Sequence, residues 1–276
     1  MGYRTNLNAI SGCLGWEMAV ELERMTHQFE AQPKSPSLVS IVVPALNEEQ
    51  NISRCVNELS KAMGGAGYDS EIIVVNDGST DSTLSIARSM RDQYDFLRVL
   101  DLKRHYGKAT ALREGIRAAK GDVVAFFDAD MQYDASDLAR MVGLKNNGTD
   151  VVTGSRDYRS YGQARAAISR TYNRILRLVF RVTLSDSNCG IKVLARGAAD
   201  PDLLFKYGLP LMIPLLTAKG FRLRETAVPL RNRIAGKSKF FQDGSLLGGW
   251  ENAKSIAFNS GMMLGLLASL AFQRLR

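Results

Sequence analysis

Two aspartates separated by a single residue follow an apolar run near the middle of the sequence. The run spans 123–127, and Asp128 and Asp130 come directly after it. Such a run is typical of a buried strand, and Gly121 before it favours a strand over a buried helix segment. Side chains two residues apart on an extended chain point the same way, so the carboxylates can converge. Hard oxygen ligands of this kind suit Mg²⁺ or Mn²⁺. Taken alone, the pair also fits a solvated turn.

The elements around this pair indicate how it is positioned. Four apolar strand patterns alternate with helical patterns, which predicts βαβ units and an α/β fold with a mainly parallel sheet. The predicted strands lie at 38–43, 71–75, 96–100 and 123–127. Ligands of such sheets bind beyond the carboxyl ends of the strands. The polar loops at 44–48, 77–79 and 128–132 all fall there, which argues against a solvated turn.

Several local signals predict where elements begin and end. Pro44 is expected to end the first strand, residues 47–49 to open the following helix, and Asp81 to cap the next one. A helix predicted at 205–219 is expected to break at Pro210 and Pro214. Further strands are predicted at 149–153 and 221–230, and a short apolar stretch at 191–194.

The net charge of +8 is concentrated in two segments. Residues 155–181 contain seven arginines and one acid, and residues 222–239 contain six basic residues and one acid. The first segment includes a predicted helix at 164–182 on which basic and apolar residues alternate. This pattern favours an anionic surface such as a membrane interface. Nucleic acid is excluded as a partner, because few aromatic residues interleave with the basic ones and the acidic strand-end loops would repel a polyanion.

The amino-acid composition limits which classes of protein and of metal site fit the sequence. The chain has 276 residues, of which 45% are hydrophobic, enough for a sizeable core. Three widely spaced cysteines argue against a disulfide framework or a zinc site, and two histidines exclude a histidine-rich metal site. The start of the chain lacks the pattern of a signal peptide.

Both ends of the sequence differ from the middle. Residues 1–37 predict an amphipathic helix that packs on the domain or on another subunit, followed by a linker with Pro33 and Pro36. The apolar stretch at 256–272 is marginal for a membrane-spanning helix, so a buried or interfacial helix is favoured.

Seven motifs in a fixed order resemble the family 2 glycosyltransferases, and most closely their polyprenyl-phosphate (dolichol-phosphate mannose synthase-like) branch. The motifs are VVPALNEE at 42–49, VNDGS at 75–79, RHYGK at 104–108, DADMQ at 128–132, GSR at 154–156, DSNCGIK at 186–192 and GKSK at 236–239. The resemblance implies a GT-A (Rossmann-like) catalytic domain over 38–240. Residues 1–37 then form the N-terminal helix and linker, and 241–276 form a helical tail associated with a membrane.

The resemblance also implies roles for individual residues. Asp128, Asp130 and Gln132 are expected to hold Mg²⁺ or Mn²⁺ on the donor diphosphate, and Asp128, Asp130 and Arg156 are expected to be catalytic. The nucleotide-sugar donor is expected to contact Pro44, Leu46, Asn47, Glu48, Asp77, Lys108, Asp128 and Ala129. The acceptor phosphate is expected to contact Arg156, Arg165, Ser169, Arg170, Arg231, Arg233, Lys237 and Lys239.

The function implied is inverting, metal-dependent transfer of a sugar from a UDP- or GDP-sugar to a polyprenyl phosphate. The implied location is the cytoplasmic face of a membrane, either peripheral or with a short C-terminal anchor. The sequence leaves open whether the protein forms a homo-oligomer. One alternative is a family 2 transferase that glycosylates a sugar hydroxyl of a polysaccharide or glycolipid. Another is a non-catalytic nucleotide-binding or membrane-docking module, against which the retained aspartates and Gln132 count.

Overall fold

A computed structural model describes most of the predicted catalytic domain. The described residues are 38–145, 148–157, 163–180 and 182–231, without the side chains of 163–168, 179 and 205–207. The predicted N-terminal helix and the C-terminal tail therefore lie outside the described residues. The same is true of the Arg165 side chain and of Arg233, Lys237 and Lys239. None of the helices described is long and apolar enough to cross a membrane.

A single sheet of seven strands forms the centre of the described part. The strands are β1 (Val39–Ala45), β2 (Ser70–Asn76), β3 (Leu97–Asp101), β4 (Val123–Phe126), β5 (Val151–Arg156), β6 (Lys192–Ala195) and β7 (Leu223–Val228). Their order is β3-β2-β1-β4-β6-β5-β7. Neighbouring strands are parallel except at β6, which runs antiparallel to both β4 and β5. The predicted mainly parallel α/β sheet is confirmed.

Helices cover both faces of this sheet. They are α1 (Ile52–Gly65), α2 (Thr83–Arg91), α3 (Lys108–Ala118), α4 (Ala135–Leu144), α5 (Gln163–Phe180) and α6 (Pro201–Ala218). Residues alternate between the two faces along β1, so Ile41 packs with α1, α2 and α4, whereas Val42 packs with α3 and α6. Both faces are apolar, which explains why the central strands read as continuous hydrophobic runs.

Two local predictions near β1 are wrong. β1 continues through Pro44, which pairs with Val75, and ends at Ala45. Proline lacks an amide proton, but its fixed φ is compatible with an extended chain, so the strand loses a donor without ending. The helix predicted to open at 47–49 begins at Ile52, after a turn in which Asn51 donates its backbone N–H to the carbonyl of Glu48 at 2.9 Å.

The predicted break in α6 also lies elsewhere. Gly208 leaves the helical conformation, with φ 73° and ψ 171°, and the helix resumes after it. Pro210 then falls in the first turn of the resumed segment, where a missing N–H costs no intrahelical bond. The break is therefore made by glycine, and the prolines follow it.

Candidate active site

The carboxyl ends of β1, β2 and β4 lie side by side, because these strands are parallel neighbours. The loops after Ala45, Asn76 and Phe126 therefore share one edge of the sheet. β3 ends on the same side and leads to Lys108 at the start of α3. The topology thus brings together the donor-side loops that the sequence predicted.

The first two of these loops are bound to each other. The backbone N–H of Asn47 donates to Ser79 Oγ at 3.0 Å, and Asn47 Oδ1 accepts from the backbone N–H of Thr80 at 2.8 Å. Asn47 has a φ of 50°, a left-handed conformation that asparagine tolerates better than most residues. The backbone N–H of Glu48 donates to Thr83 Oγ1 at 2.7 Å. These bonds fix the loop that carries the predicted nucleotide contacts.

Asp77 is buried and holds the loop that precedes α3. Its carboxylate accepts backbone N–H bonds from Tyr106 at 2.8 Å and Gly107 at 3.0 Å, and it lies 2.8 Å from His105 Nδ1. Gly78 adopts a φ of 74° and packs against the backbone of this loop so closely that a Cβ would overlap it. The structure therefore gives Asp77 a loop-positioning role. Its predicted contact with the base or ribose stays a prediction.

The two aspartates after β4 occupy different environments. Asp128 forms an ion pair with the Lys108 ammonium, and its side chain is 23% exposed. Asp130 is 9% exposed, and its Oδ1 accepts the backbone N–H of Gln132 at 3.2 Å. Met131, between Asp130 and Gln132, has a φ of 57°, which costs free energy for a residue with a side chain. The turn is thus held in an unusual conformation by the groups around it.

Negative charge accumulates beside these carboxylates. Burial raises the pKa of the Cys55 thiol, and the charges of Asp130, Asp128 and Glu48 raise that pKa further. In the described part of the chain, no three acidic, histidine or cysteine side chains group together as a metal site. Two carboxylates and an amide oxygen are hard oxygen ligands of the kind that suits Mg²⁺ or Mn²⁺, and the role of Asp128, Asp130 and Gln132 as metal ligands stays a prediction.

Gln132 is oriented by Arg231. Its Nε2 donates to the Arg231 carbonyl at 3.4 Å, and the Arg231 N–H donates to the Gln132 carbonyl at 2.8 Å. The Arg231 guanidinium forms an ion pair with Asp134, the residue that caps α4. Arg231, which the sequence assigned to the acceptor phosphate, therefore contacts the turn after β4.

Gly190 was not singled out by the sequence, yet it contacts Asp128. A Cβ at Gly190 would overlap Asp128 Oδ2 and lie 2.9 Å from Asp128 Cγ. The Gly190 N–H donates to the hydroxyl of Tyr133 at 3.1 Å, and Tyr133 packs edge-on against Phe127. Only a residue without a side chain leaves room for Asp128 in this position.

Arg156 and Asp186 form a buried ion pair at the end of β5. Arg156 Nε lies 2.6 Å from Asp186 Oδ2, and a terminal nitrogen lies 2.8 Å from Oδ1. The Asp186 side chain is 0% exposed and that of Arg156 is 14% exposed. Burial opposes the charge of Arg156, but the bonds to Asp186 outweigh this effect and raise the pKa of the guanidinium. The guanidinium therefore stays charged.

An open cavity of ≈ 560 Å³ lies beside this pair. Four arginines and one acid line it: Arg156, Arg170, Arg174, Arg177 and Asp157. Arg170, Arg174 and Arg177 are exposed on α5. Asn173 and Leu176 on the same helix are buried. A cavity with this excess of guanidinium groups is suited to a phosphate.

The predicted site residues thus fall into two groups. The donor loops and the turn after β4 form one, and Arg156 and Arg170 form the other, with Ser169 next to Arg170 on α5. Arg174 and Arg177 were recognised in the sequence only as part of a basic helix. Gly190, Asp186 and Lys192 were seen as parts of a motif without individual roles.

The family model of glycosyl transferase family 2 matches residues 40–199, so this chain belongs to that family. It is 30% identical over 211 residues to an undecaprenyl-phosphate 4-deoxy-4-formamido-L-arabinose transferase of Edwardsiella ictaluri, covering 75% of this chain and 64% of that protein. It is 32% identical over 208 residues to a dodecaprenyl-phosphate galacturonate synthase of Rhizobium johnstonii, covering 73% of this chain and 61% of that protein. The chain spans less than two thirds of the length of both relatives.

Solved structures share the fold. Glucosyl-3-phosphoglycerate synthase from Mycobacterium tuberculosis, in complex with Mn²⁺, UDP-glucose and phosphoglyceric acid, aligns with a TM-score of 0.55 and 22% identity over 73% of each chain. The mannosyltransferase PcManGT from Pyrobaculum calidifontis, in complex with GDP-Man and Mn²⁺, aligns with a TM-score of 0.51 and 18% identity over 82% of this chain and 65% of that one. The predicted GT-A fold is confirmed.

Proposed function

We propose that this protein transfers one sugar from a nucleotide-sugar donor to a polyprenyl phosphate, with Mg²⁺ or Mn²⁺ on the donor diphosphate. The observation that carries the proposal is the arginine-lined cavity beside Arg156 and Asp186. The names of the two curated relatives, both polyprenyl-phosphate sugar transferases, support the same acceptor class.

The donor half of the site offers acidic and basic groups in contact. Asp128, Asp130 and Gln132 would hold the metal ion, which supplies Lewis-acid stabilisation of the departing nucleoside diphosphate. Lys108 forms an ion pair with Asp128 and would place its ammonium beside the diphosphate oxygens. Hydrogen bonds from the loop after β1 to the segment after β2 keep Asn47 and Glu48 in place for the nucleoside.

The acceptor half of the site needs cations more than it needs a base. A phosphate monoester is largely dianionic at neutral pH, since its second pKa is ≈ 6, so its oxygen is already a nucleophile. Arginines bind such oxygens through their planar fork and orient one of them toward the anomeric carbon. A carbon–oxygen bond to the phosphate then forms as the bond to the nucleoside diphosphate breaks, with inversion. A sugar hydroxyl would instead require a general base.

The surface of α5 supports an acceptor that sits in a membrane. Leu178 is 73% exposed and Ile175 is 37% exposed, next to the exposed Arg174 and Arg177. Apolar side chains beside arginines suit the boundary between lipid head groups and acyl chains. We infer peripheral contact with an anionic membrane surface through this helix.

The proposal is tested by incubating the purified protein with Mn²⁺, a panel of UDP- and GDP-sugars and a short polyprenyl phosphate. Formation of a lipid-linked sugar with one donor supports it. Transfer only to a sugar hydroxyl would reject the lipid acceptor in favour of the polysaccharide or glycolipid alternative. Nucleotide binding without transfer to any acceptor would favour a non-catalytic module.

Removing an arginine from α5 is expected to weaken acceptor use. For Arg165→Ala and Arg170→Ala we expect the KM for polyprenyl phosphate to rise about 10–100-fold, since a hydrogen bond to a charged group contributes about 1.5–3 kcal/mol. The KM for the donor should change little. Arg54→Ala removes an exposed arginine of α1 and is the control. Equal changes in the two KM values would contradict the acceptor assignment.

Gly190→Ala is expected to weaken metal binding by displacing Asp128. The added Cβ would overlap Asp128 Oδ2, and the carboxylate can move more easily than the backbone. Disturbing groups that position a metal ligand typically costs 10–100-fold in metal affinity, so we expect a loss of about that size. Titration of Mn²⁺ in the presence of nucleoside diphosphate measures it. Gly64→Ala, where a Cβ meets no atom within 4 Å, is the control; wild-type Mn²⁺ affinity in Gly190→Ala would refute the contact.

A further inference from the structure

Lys192 is a lysine without solvent exposure in the middle of the sheet. It lies on β6, paired with Phe126 on β4 and Thr153 on β5, and its side chain is 0% exposed. Lysine is among the residues least often buried without a partner. Here the ammonium donates to the backbone carbonyl of Ser187 at 3.3 Å and to that of Cys189.

The carbonyls that Lys192 binds belong to a loop, residues 185–190, that contacts both halves of the site. Asp186 in this loop pairs with Arg156 at the acceptor cavity. At its other end, Gly190 packs against Asp128 in the predicted metal site. The bridging loop, as we call residues 185–190, therefore contacts both Arg156 and Asp128.

Side chains of α5 and β7 also form hydrogen bonds with the bridging loop. Asn173 on α5 accepts from the Ser187 N–H at 3.1 Å and from its hydroxyl at 2.9 Å. Glu225 on β7 accepts the N–H groups of Ser185 at 3.0 Å and Asp186 at 2.9 Å. Asn173 and Glu225 accept hydrogen bonds from the loop, whereas Lys192 donates to two of its carbonyls from the sheet.

Burying this ammonium is costly for stability. Transfer of a charge out of water is unfavourable, and an apolar side chain of similar volume often serves a core equally well. Burial lowers the pKa of Lys192 to about 8; the nearby Cys189 and Asp186 favour its charged form, and Lys108 and Arg156 oppose it. In its charged form the group donates charge-assisted hydrogen bonds to the two carbonyls. Retaining a charge here points to a role in positioning.

We propose that Lys192 is a positioning residue, which holds the bridging loop so that the acceptor and donor sides of the site stay in register. The proposal rests on the proposed function for its kinetic consequences. Reactions that align two bound groups are sensitive to small displacements, and an error of 1 Å can cost about 10²-fold in rate. Lys192 itself lies beneath the site and needs no contact with a substrate.

Three variants test the proposal. Lys192→Met keeps the volume and removes the carbonyl bonds, Lys192→Arg keeps a buried cation, and Val193→Ala disturbs the next buried residue of β6. We expect Lys192→Met to lower kcat at least 10-fold with little change in the donor KM. Lys192→Arg should recover a large part of kcat, and Val193→Ala should lower Tm while keeping kcat. Wild-type kcat in Lys192→Met, or equal kcat losses in Lys192→Met and Val193→Ala, would overturn the proposal.

A second measurement does not depend on the reaction. Amide hydrogen exchange of residues 185–190 should accelerate in Lys192→Met, with exchange in β1 unchanged, because the loop loses its attachment to the sheet. Val193→Ala should leave exchange in the loop as it is in the wild type. Unchanged loop exchange in Lys192→Met would overturn the proposal even if no acceptor is found. Failure of the wild type to glycosylate polyprenyl phosphate would instead count against the proposed function alone.

Discussion

Asp130→Asn is expected to reduce sugar transfer at least ~10³-fold while leaving the fold intact. The side chain keeps its shape and can still accept the Gln132 N–H, which Asp130 Oδ1 binds at 3.2 Å. What it loses is one of the two carboxylate charges after β4. If the metal contributes several kcal/mol to stabilising the leaving diphosphate, losing about 4 kcal/mol corresponds to ~10³ in rate.

The experiment compares kcat/KM, the Mn²⁺ dependence and the Tm of Asp130→Asn with those of the wild type. Asp95→Asn makes the same chemical change at an exposed position and should behave as the wild type. Excess Mn²⁺ should restore part of the activity if the variant is limited by metal affinity. Substantial transfer by Asp130→Asn at ordinary Mn²⁺ concentrations would contradict a metal role for this carboxylate.

The donor half of the site could be predicted from sequence because its parts are local. Each donor loop directly follows an apolar strand, and parallel strands bring successive loops to one edge. The hydrophobic run before Asp128 and the turn residues around Asp77 therefore sufficed to group them. Helix α4 was not predicted, although Asp134 caps it by accepting the Ser136 N–H at 2.9 Å.

The link between the two halves could not be predicted, because it depends on strand order. β6 inserts between β4 and β5 in the reverse direction, which carries Gly190 to Asp128 and Asp186 to Arg156. The short stretch at 191–194, in which three of four residues are apolar, shows neither the direction of the strand nor its neighbours. It also hides Lys192, because lysine in a short strand is usually taken as solvent-facing. Contacts between distant segments decided these roles.

Arg156→Met is expected to lower both stability and transfer, for two separable reasons. Asp186 is 0% exposed and loses its bidentate partner, which typically costs about 3–5 kcal/mol when one member of a buried pair is removed. Backbone N–H groups of Asn188 and Arg156 remain as donors to this carboxylate at 3.1 and 3.2 Å, so some of the cost is offset. Transfer falls because the acceptor cavity loses its most buried guanidinium. Denaturant unfolding and acceptor kinetics measure the two effects.

Asp186→Asn in the Arg156→Met background separates these effects. Without the arginine, the asparagine removes a buried charge that no longer has a guanidinium beside it, so the double variant should regain much of the free energy of unfolding. If Arg156 binds the acceptor phosphate, transfer by the double variant should stay as low as in Arg156→Met. Recovery of both stability and acceptor use would instead show that Arg156 serves only to neutralise Asp186. The acceptor phosphate would then depend on Arg170, Arg174 and Arg177, the exposed arginines of α5 that line the same cavity.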